Sequence, residues 1–369
     1  MHHRVRFMGT SYSVARRALP SFGLFAILTV VAIVHGDVIL ETLRRSGDIP
    51  LHTLSGLALC AACLALARGY LLSVVTPGIT VIKGLQADQS ALAAAYGVAV
   101  GGGALGVAAK VTMFRSWFVH LDATAVSLVA TAVLPTLSTW TPAVLVHAPQ
   151  AVSGNATRAE LLAVVVGVGT LAFNVAFWAM VLYTHKPAHV IARLFQRSQT
   201  FALRKVPVRF QKFHASVKRA DPHRFTGSVR DGLRHLLHQR WPRMILGTAL
   251  IPCVSFTTLL LALRAYDVTE VSVLEALSAF ALVRVIVSLS PIPGGVGLAE
   301  FGLVALLTSA GAGDIGAAGA TILYRAVTWL CPMVIGAVSW WIWKRSNNQT
   351  HERQTDGSLR HTHQLAEIS

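Results

Sequence analysis

Six apolar runs of similar length constrain the fold of this chain more than any other feature. Each is close to the ~20 residues that a helix needs to cross the ~30 Å hydrocarbon core of a bilayer. With 54% hydrophobic and 13% charged residues, the composition excludes a soluble domain of ordinary type. We therefore predict an all-α fold, a polytopic membrane helical bundle. The runs cover residues 20–38, 53–75, 124–146, 161–183, 244–263 and 271–289.

The formal net charge of +16 suggests a nucleic-acid partner, but most of the charge lies in one loop. Residues 186–243 contain fourteen Lys and Arg against Asp221 and Asp231, a balance of +12. Basic loops stay in the cytoplasm, and apolar residues between 190 and 217 predict amphipathic helices on the anionic inner leaflet. Recognition of a specific head group or protein partner by this loop is the alternative. Aromatic residues are sparse and no reader motif is present, so we predict no nucleic-acid binding.

Both termini are predicted to be cytoplasmic. Four arginines between residues 4 and 17 precede the first run, and no small-residue cleavage pattern follows, which indicates an uncleaved helix. Tryptophans at 340–343 followed by Lys344 and Arg345 form an aromatic belt with an inside anchor. We expect a protein of the bacterial plasma (inner) membrane. Its predicted parts are a membrane half (1–184), the basic loop (185–243), a second membrane half (244–345) and a polar, disordered tail (346–369).

The four cysteines lie in apolar segments. Cys60 and Cys63 share a helix face, but no neighbouring Cys or His completes a set of metal ligands. Thiols buried in membrane helices are ordinarily packing residues. We predict no disulfide, no metal site and no cofactor.

The number of crossings between the amino terminus and the basic loop indicates a segment that does not cross the membrane. If the amino terminus and the basic loop are both cytoplasmic, the four apolar runs between them already account for an even number of crossings. Residues 91–118 must then return to the side of the membrane from which they enter. This segment contains glycines at 101–106 and the cations Lys110 and Arg115. We predict a re-entrant hairpin here. A break in the proline-containing stretch 134–142 is the alternative.

The second interruption is the sequence SPIPGGVGLAE at residues 290–300. Prolines remove backbone donors and glycines loosen the chain, so the freed polar groups must be buried in protein or line a polar cavity. The helix that follows, 298–310, is only about 20 Å long at 1.5 Å per residue, too short to span alone. The loop 291–297 must cover the rest, which predicts a discontinuous crossing before a last long helix at 315–343. The bundle then has about eight crossings.

A helix that begins inside the membrane near Gly297 presents its unpaired N–H groups and its positive dipole end to the bundle interior. Such helix ends bind anionic groups, phosphates included. Glu300 in the first turn offers a competing explanation, because its carboxylate can cap the same N–H groups.

Arg284 and Arg325 lie well below the membrane surface by their positions in their helices, where charges are normally paired or functional. Two arginines and Glu300 leave one positive charge unbalanced, which favours a phosphate ligand held by a bidentate guanidinium. The alternative pairs one arginine with Glu300 and lets the other reach an interface.

The two interruptions have a similar composition, since each contains glycines followed by a basic residue. Paired interrupted segments in the two halves of a chain predict a midplane binding site built from repeats. Close helix packing by small residues is the alternative. The predicted substrate-binding residues are Lys110, Arg115, Arg284, Pro293, Gly294, Gly295, Gly297, Glu300 and Arg325.

These segments also carry a family resemblance. The chain has SPIPGGVGLAEFGLVALLTSAG at 290–311 and AAGATILYRAVTWLCPMVIGAVSWW at 317–341. This resembles the carboxy-terminal signature of the lysylphosphatidylglycerol synthase transmembrane region, a flippase-like family, and the resemblance extends over about residues 15–345. The pattern is a proline-rich break, Gly-Gly-x-Gly-x-x-Glu, a short helix ending in glycine, and an arginine in the last long helix. The matching positions are Pro293, Gly294, Gly295, Gly297, Glu300 and Arg325.

The resemblance implies a bundle with two re-entrant elements around a lipid-accessible cavity. In full-length synthases this module is thought to move aminoacylated phospholipid between leaflets. Only the short polar tail follows Arg345, with no room for the soluble aminoacyl-transfer domain, so lysyl transfer is not expected. The glycines at 101–103 stand where many members have Pro-Gly or Gly-Glu, so the resemblance does not assign roles to Lys110 and Arg115.

Three classes of function are compatible with these features. We favour a lipid translocase for an anionic phospholipid or a polyprenyl-phosphate-linked glycolipid, since a helix dipole and intramembrane arginines suit a phosphate head group. An enzyme of the glycosyltransferase type is disfavoured, because no acidic metal-binding pair or positioned base is evident. A non-catalytic subunit that organises envelope-lipid enzymes is the third class. The predicted partners are membrane lipids with phosphate head groups, the anionic inner leaflet, and a second copy of the chain or an envelope enzyme.

Overall fold

The computed structural model describes residues 49–98, 102–154, 156–183, 222–290 and 292–347, together with residue 44. All regular structure within these ranges is helical. The predicted first run at 20–38, the amphipathic segment at 190–217 and the tail beyond 347 lie outside them. The described helices are α1 (Leu51–Val75), α2 (Val81–Tyr96), α3 (Gly102–Ser116), α4 (Leu121–Val152), α5 (Arg158–Tyr183), α6 (Pro222–Gln239), α7 (Trp241–Ala265), α8 (Val273–Leu289), α9 (Leu298–Ser309) and α10 (Asp314–Asn347).

Five of these helices, α1, α4, α5, α7 and α10, are long and apolar enough to cross a membrane. They coincide with four of the predicted runs and with the predicted last helix, which confirms a multi-pass membrane protein. α8 has 17 residues and α9 has 12. At 1.5 Å per residue α9 extends only about 18 Å, so it is too short to span, as predicted. The count of eight crossings stays a prediction.

α4 remains helical through its three internal prolines, so the alternative that placed the first break at 134–142 is wrong. Each proline leaves the carbonyl four residues earlier without its helical N–H partner. The carbonyl freed by Pro142 belongs to Ser138, and Arg284 Nη2 of α8 donates a long hydrogen bond of 3.5 Å to it. A residue that weakens the helix thus exposes an acceptor for an arginine inside the bundle.

The first predicted interruption is a hairpin of two short helices, α2 and α3, which pack against each other. With 16 and 15 residues they extend about 24 and 22 Å, less than the ~30 Å core. The hairpin starts at Val81, earlier than the predicted 91–118, because Lys83 and Asp88 make α2 too polar to stand out as an apolar run. A Cβ on Gly102 or Gly106 would overlap the α2 backbone, which supports the close-packing alternative at these two positions. Re-entry into the membrane stays a prediction.

Two large apolar cores and two smaller ones hold the described part of the bundle together. The first contains Leu72 of α1, Phe114 of α3 and Leu233 of α6, together with residues of α4. The second joins α7 to α10 around Leu259 and Leu303. α6 belongs to the predicted basic loop, and its buried apolar side packs on α4. The described end of that loop is therefore held against the protein.

Gly84→Ala is expected to destabilise the bundle by about 1–3 kcal/mol, the usual cost of overpacking. A Cβ at Gly84 of α2 would overlap the Gly69 carbonyl of α1, and backbone atoms cannot rotate out of the way. The midpoint of thermal unfolding in detergent measures the effect. Gly103→Ala is the matched control, since nothing lies within 4 Å of its Cβ position. Equal midpoints for the two variants would contradict close contact between α1 and α2.

Candidate functional site

In the Pro-Gly break, residues 290–297, the described residues 292–297 form a tight turn before α9. Its 3-10 turn, Pro293–Gly295, contains a hydrogen bond of 2.9 Å from the Gly295 N–H to the Ile292 carbonyl. The three glycines of the break have φ angles of 69°, 62° and 87°. Residues with a Cβ rarely adopt these angles, so the sequence needs glycine at all three positions.

Glu300 and Arg325 fix the start of α9. The carboxylate Oε2 of Glu300 accepts a hydrogen bond of 2.7 Å from the Gly297 N–H, and its Oε1 accepts one of 2.6 Å from Arg325 Nε. Arg325 Nη2 also donates to the Gly294 carbonyl at 2.9 Å. Glu300 is therefore both the helix cap and an ion-pair partner, which joins two roles that the sequence analysis kept apart.

Trp329 connects the break to the α2–α3 hairpin. It lies in a π-helical turn of α10, Ala326–Leu330, and π-turns inside α-helices often mark functional sites. Its indole packs so closely on Gly294 that a Cβ there would overlap the ring. The ring stacks on Tyr96 at the end of α2, with centroids 6.2 Å apart, and the Arg325 guanidinium lies 5.6 Å from it. The two interruptions therefore meet inside the bundle.

Arg284 does not contact Glu300. Its guanidinium donates to the carbonyl and hydroxyl oxygens of Ser138 at 3.5 and 3.4 Å and lies 5.3 Å from the centroid of the Phe280 ring. Tyr96, Tyr324 and Arg68 are further electrostatic neighbours. Hydrogen bonds and ring contacts keep Arg284 inside the bundle, but none of these neighbours is a carboxylate.

Lys110 of α3 forms an ion pair with Asp88 of α2, with Nζ 2.9 Å from Oδ1. Both side chains are shielded, with relative exposures of 13% and 14%. Asp88 also interacts electrostatically with Arg68 of α1, and Arg68 in turn neighbours Arg284. This ion pair therefore belongs to the same group of charges as Arg284.

Six of these charged residues form what we call the charge cluster: Arg68, Asp88, Lys110, Arg284, Glu300 and Arg325. They comprise four cations and two carboxylates, a net charge of +2. Asp88 compensates Lys110 and Glu300 compensates Arg325. The buried Nε atoms of Arg68 and Arg284 have no hydrogen-bond acceptor in the described part of the chain. Polar groups buried in this way normally find a partner, so the arrangement suits an anion.

A cavity of about 860 Å³ adjoins the charge cluster between α4, α5, α7 and α8. Its lining is almost entirely apolar, and two of its residues, Ser138 and Phe280, are the residues that contact Arg284. Leu145, Val175 and Ile245 line it and are also exposed, so it opens to the outer surface of the bundle. The cavity thus extends from the outer surface of the bundle to two residues that contact Arg284.

The sequence model of the family described as the lysylphosphatidylglycerol synthase TM region matches residues 16–336. The chain belongs to this family. No curated protein and no solved structure matches the chain. Membership confirms the resemblance seen in the sequence and identifies a membrane protein associated with lipid handling.

In this member of the lysylphosphatidylglycerol synthase TM region family, most of the predicted site residues converge. The glycines of the break, Glu300 and Arg325 form one contact network, and Arg284 joins it through Tyr96 and Trp329. Lys110 joins through Asp88. Arg115 is exposed in the last turn of α3. Pro293 begins the turn of the break.

Four residues of the site were missing from the sequence analysis: Arg68, Asp88, Tyr96 and Trp329. Arg68 had a usable signal, because it is a lone cation within the apolar run 53–75. Asp88 had a weaker one, because the sequence analysis did not recognise α2 as part of the hairpin. Nothing in the sequence places the two aromatic rings face to face.

Proposed function

We propose that this protein moves lipids with a phosphate-bearing head group between the two leaflets of the membrane. The observation that carries the proposal is the +2 charge cluster inside the bundle, next to an apolar cavity that opens to the lipid-facing surface. Anionic phospholipids and polyprenyl-phosphate-linked glycolipids both combine the required charge with a long apolar tail. The proposed location is the bacterial plasma membrane.

The head group would bind at Arg284 and Arg68. Placing charges inside a membrane costs about 2.5–3.5 kcal/mol each on insertion scales, and an anionic ligand offsets that cost. Guanidinium groups suit phosphate because their N–H groups form a planar fork that matches two oxygens. Family membership supports a lipid as the source of the phosphate.

The tail would occupy the cavity. Phe280 and Ser138 line the cavity and also contact Arg284, so a head group at the arginine and a tail in the cavity would meet at these two residues. The volume of about 860 Å³ lies in the range of pockets that enclose small ligands. A lipid bound there would keep its tail away from the charges while its head group crosses the membrane interior.

The test is leaflet exchange in liposomes that contain the purified full chain. Acyl-labelled fluorescent phosphatidylglycerol and a labelled polyprenyl phosphate are added to one leaflet, and a reductant that does not cross the membrane reports their redistribution. We expect both to move faster than in protein-free vesicles. If neither does, the transport proposal fails.

Arg284→Gln is expected to slow exchange of these lipids by about tenfold or more, since glutamine keeps hydrogen-bonding capacity and removes the charge that attracts phosphate. Arg264→Gln is the matched control, because Arg264 is an exposed arginine in the last turn of α7. The rates are normalised to the amount of folded protein recovered from the vesicles. An unchanged rate in Arg284→Gln would remove the arginine from the transport path.

A further inference from the structure

The net charge of the charge cluster restricts the class of lipid head group that would bind there. We infer that the preferred substrate has two negative charges on its phosphate moiety, as a lipid phosphomonoester or diphosphate does, and is not a singly charged phosphodiester. This inference rests on the proposed transport function and adds a substrate class to it. Its basis is the pairing pattern of the six charged side chains.

Two of the four cations already have a carboxylate partner. Lys110 lies 2.9 Å from Asp88, and Arg325 lies 2.6 Å from Glu300. Arg325 also donates to the Gly294 carbonyl, so two of its nitrogen atoms are occupied. These pairs hold both carboxylates at cations, which limits the repulsion that an incoming anion would meet.

The remaining cations are Arg68 on α1 and Arg284 on α8, which interact electrostatically with each other. Asp88 also attracts Arg68, but its carboxylate is already bound to Lys110 at 2.9 Å, so one negative charge serves two cations. Each arginine has a buried Nε atom without an acceptor among the described residues. Like charges that are close together in a membrane interior repel strongly, because the surroundings screen them poorly. A ligand with one negative charge leaves one of the two uncompensated, whereas a doubly charged ligand compensates both.

The geometry of the donors also favours a doubly charged phosphate. A terminal phosphate monoester has a charge of about −1.5 to −2 at neutral pH and three strong acceptor oxygens. Two guanidinium groups from different helices can each bind a separate face of such a group, or separate phosphates of a diphosphate. A phosphodiester has only two free oxygens and a single negative charge, so it offers the two guanidinium groups fewer acceptors and about half of the charge.

The test compares lipids that share acyl chains and differ in phosphate charge. Liposomes with the full chain receive labelled phosphatidic acid, phosphatidylglycerol or phosphatidylcholine, and a parallel set receives a labelled polyprenyl diphosphate. We expect phosphatidic acid or the polyprenyl diphosphate to move about tenfold faster than phosphatidylglycerol, with phosphatidylcholine slowest. Which of the two moves faster identifies the lipid source of the phosphate.

The outcomes separate this inference from the function on which it rests. If phosphatidylglycerol moves as fast as both doubly charged lipids, the charge inference is overturned and the transport proposal stands. If no lipid moves faster than in protein-free vesicles, the transport proposal itself has failed.

Arg68→Gln tests the charge count directly, because it lowers the cluster from +2 to +1. We expect the rate ratio of phosphatidic acid to phosphatidylglycerol to fall by about tenfold, while Arg264→Gln leaves the ratio unchanged. The ratio is measured within one preparation, so it does not depend on protein yield. Arg68→Lys, the second variant, keeps the charge and should keep the ratio even if both rates decrease. An unchanged ratio in Arg68→Gln, or a ratio lost equally in Arg68→Lys, would overturn the inference.

Discussion

Gly294→Ala is expected to destabilise the folded protein by about 2–5 kcal/mol, a large fraction of the stability of an ordinary domain. Two costs combine at this position. Its φ of 69° is in the left-handed region, which costs a residue with a Cβ about 1–2 kcal/mol. The new methyl group would also overlap the Trp329 indole, which is held in place by Tyr96.

Gly78→Ala is the control that separates these two costs. Gly78 has a φ of 88°, and nothing lies within 4 Å of its Cβ position, so only the backbone term applies there. The thermal unfolding midpoints of both variants, measured in the same detergent, give the contribution of the Trp329 contact by difference. Gly294→Ala combined with Trp329→Leu should recover part of the loss.

The contrary result is also informative. If Gly78→Ala and Gly294→Ala lower the midpoint equally, Trp329 does not pack on the break. The connection between the break and the α2–α3 hairpin would then depend on other contacts.

The long membrane helices were predictable because their signal is local. A run of about 20 apolar residues can satisfy its backbone in a bilayer only as a helix, whatever its neighbours are. The Pro-Gly break was predictable for a related reason, since the φ angles of its three glycines are a property of the local chain. The short α9 then followed from counting residues.

The pairing of charges was not predictable in the same way. Sequence position predicts that Arg284 and Arg325 lie below the membrane surface but does not predict which of them meets Glu300. Which arginine meets Glu300 depends on how α8 and α10 are rotated relative to α9, and tertiary packing determines these rotations. Arg284 turns to Ser138, whose carbonyl is free because Pro142 has no N–H.

The α2–α3 hairpin shows the limit of hydrophobicity as a signal. α2 contains Lys83, Asp88 and Gln89, so a search for apolar runs passes over it. Its charges are tolerated because they face other parts of the protein, as the Asp88–Lys110 ion pair shows. A helix whose charges are paired by neighbouring helices can be recognised only when those neighbours are known.

Arg325→Ala is expected to destabilise the protein by about 3 kcal/mol, the lower end of the range for removing one partner of a buried ion pair. The lower end applies because Glu300 retains 33% relative exposure and can be partly hydrated. The variant leaves the Glu300 carboxylate without its cation and the Gly294 carbonyl without its donor. Thermal unfolding in detergent, with Arg264→Ala as the exposed-arginine control, measures the loss.

Glu300→Gln distinguishes a cap from an ion-pair partner. The glutamine side chain retains an oxygen that can accept the Gly297 N–H but has no charge to offer Arg325. If capping were the whole role of Glu300, this variant would unfold at nearly the wild-type temperature. Because Glu300 also binds Arg325 at 2.6 Å, we expect a loss of about 1.5–3 kcal/mol, the range for hydrogen bonds to charged groups.

The double variant Arg325→Ala/Glu300→Gln completes the cycle. If the two side chains act as one unit, the double variant loses less stability than the sum of the single losses, with a coupling energy of about 0.5–3 kcal/mol. Additive losses would mean that Arg325 stabilises the break through the Gly294 carbonyl alone. In that case Glu300 would act at the start of α9 mainly as a cap on the Gly297 N–H, while the net charge of the cluster would remain +2.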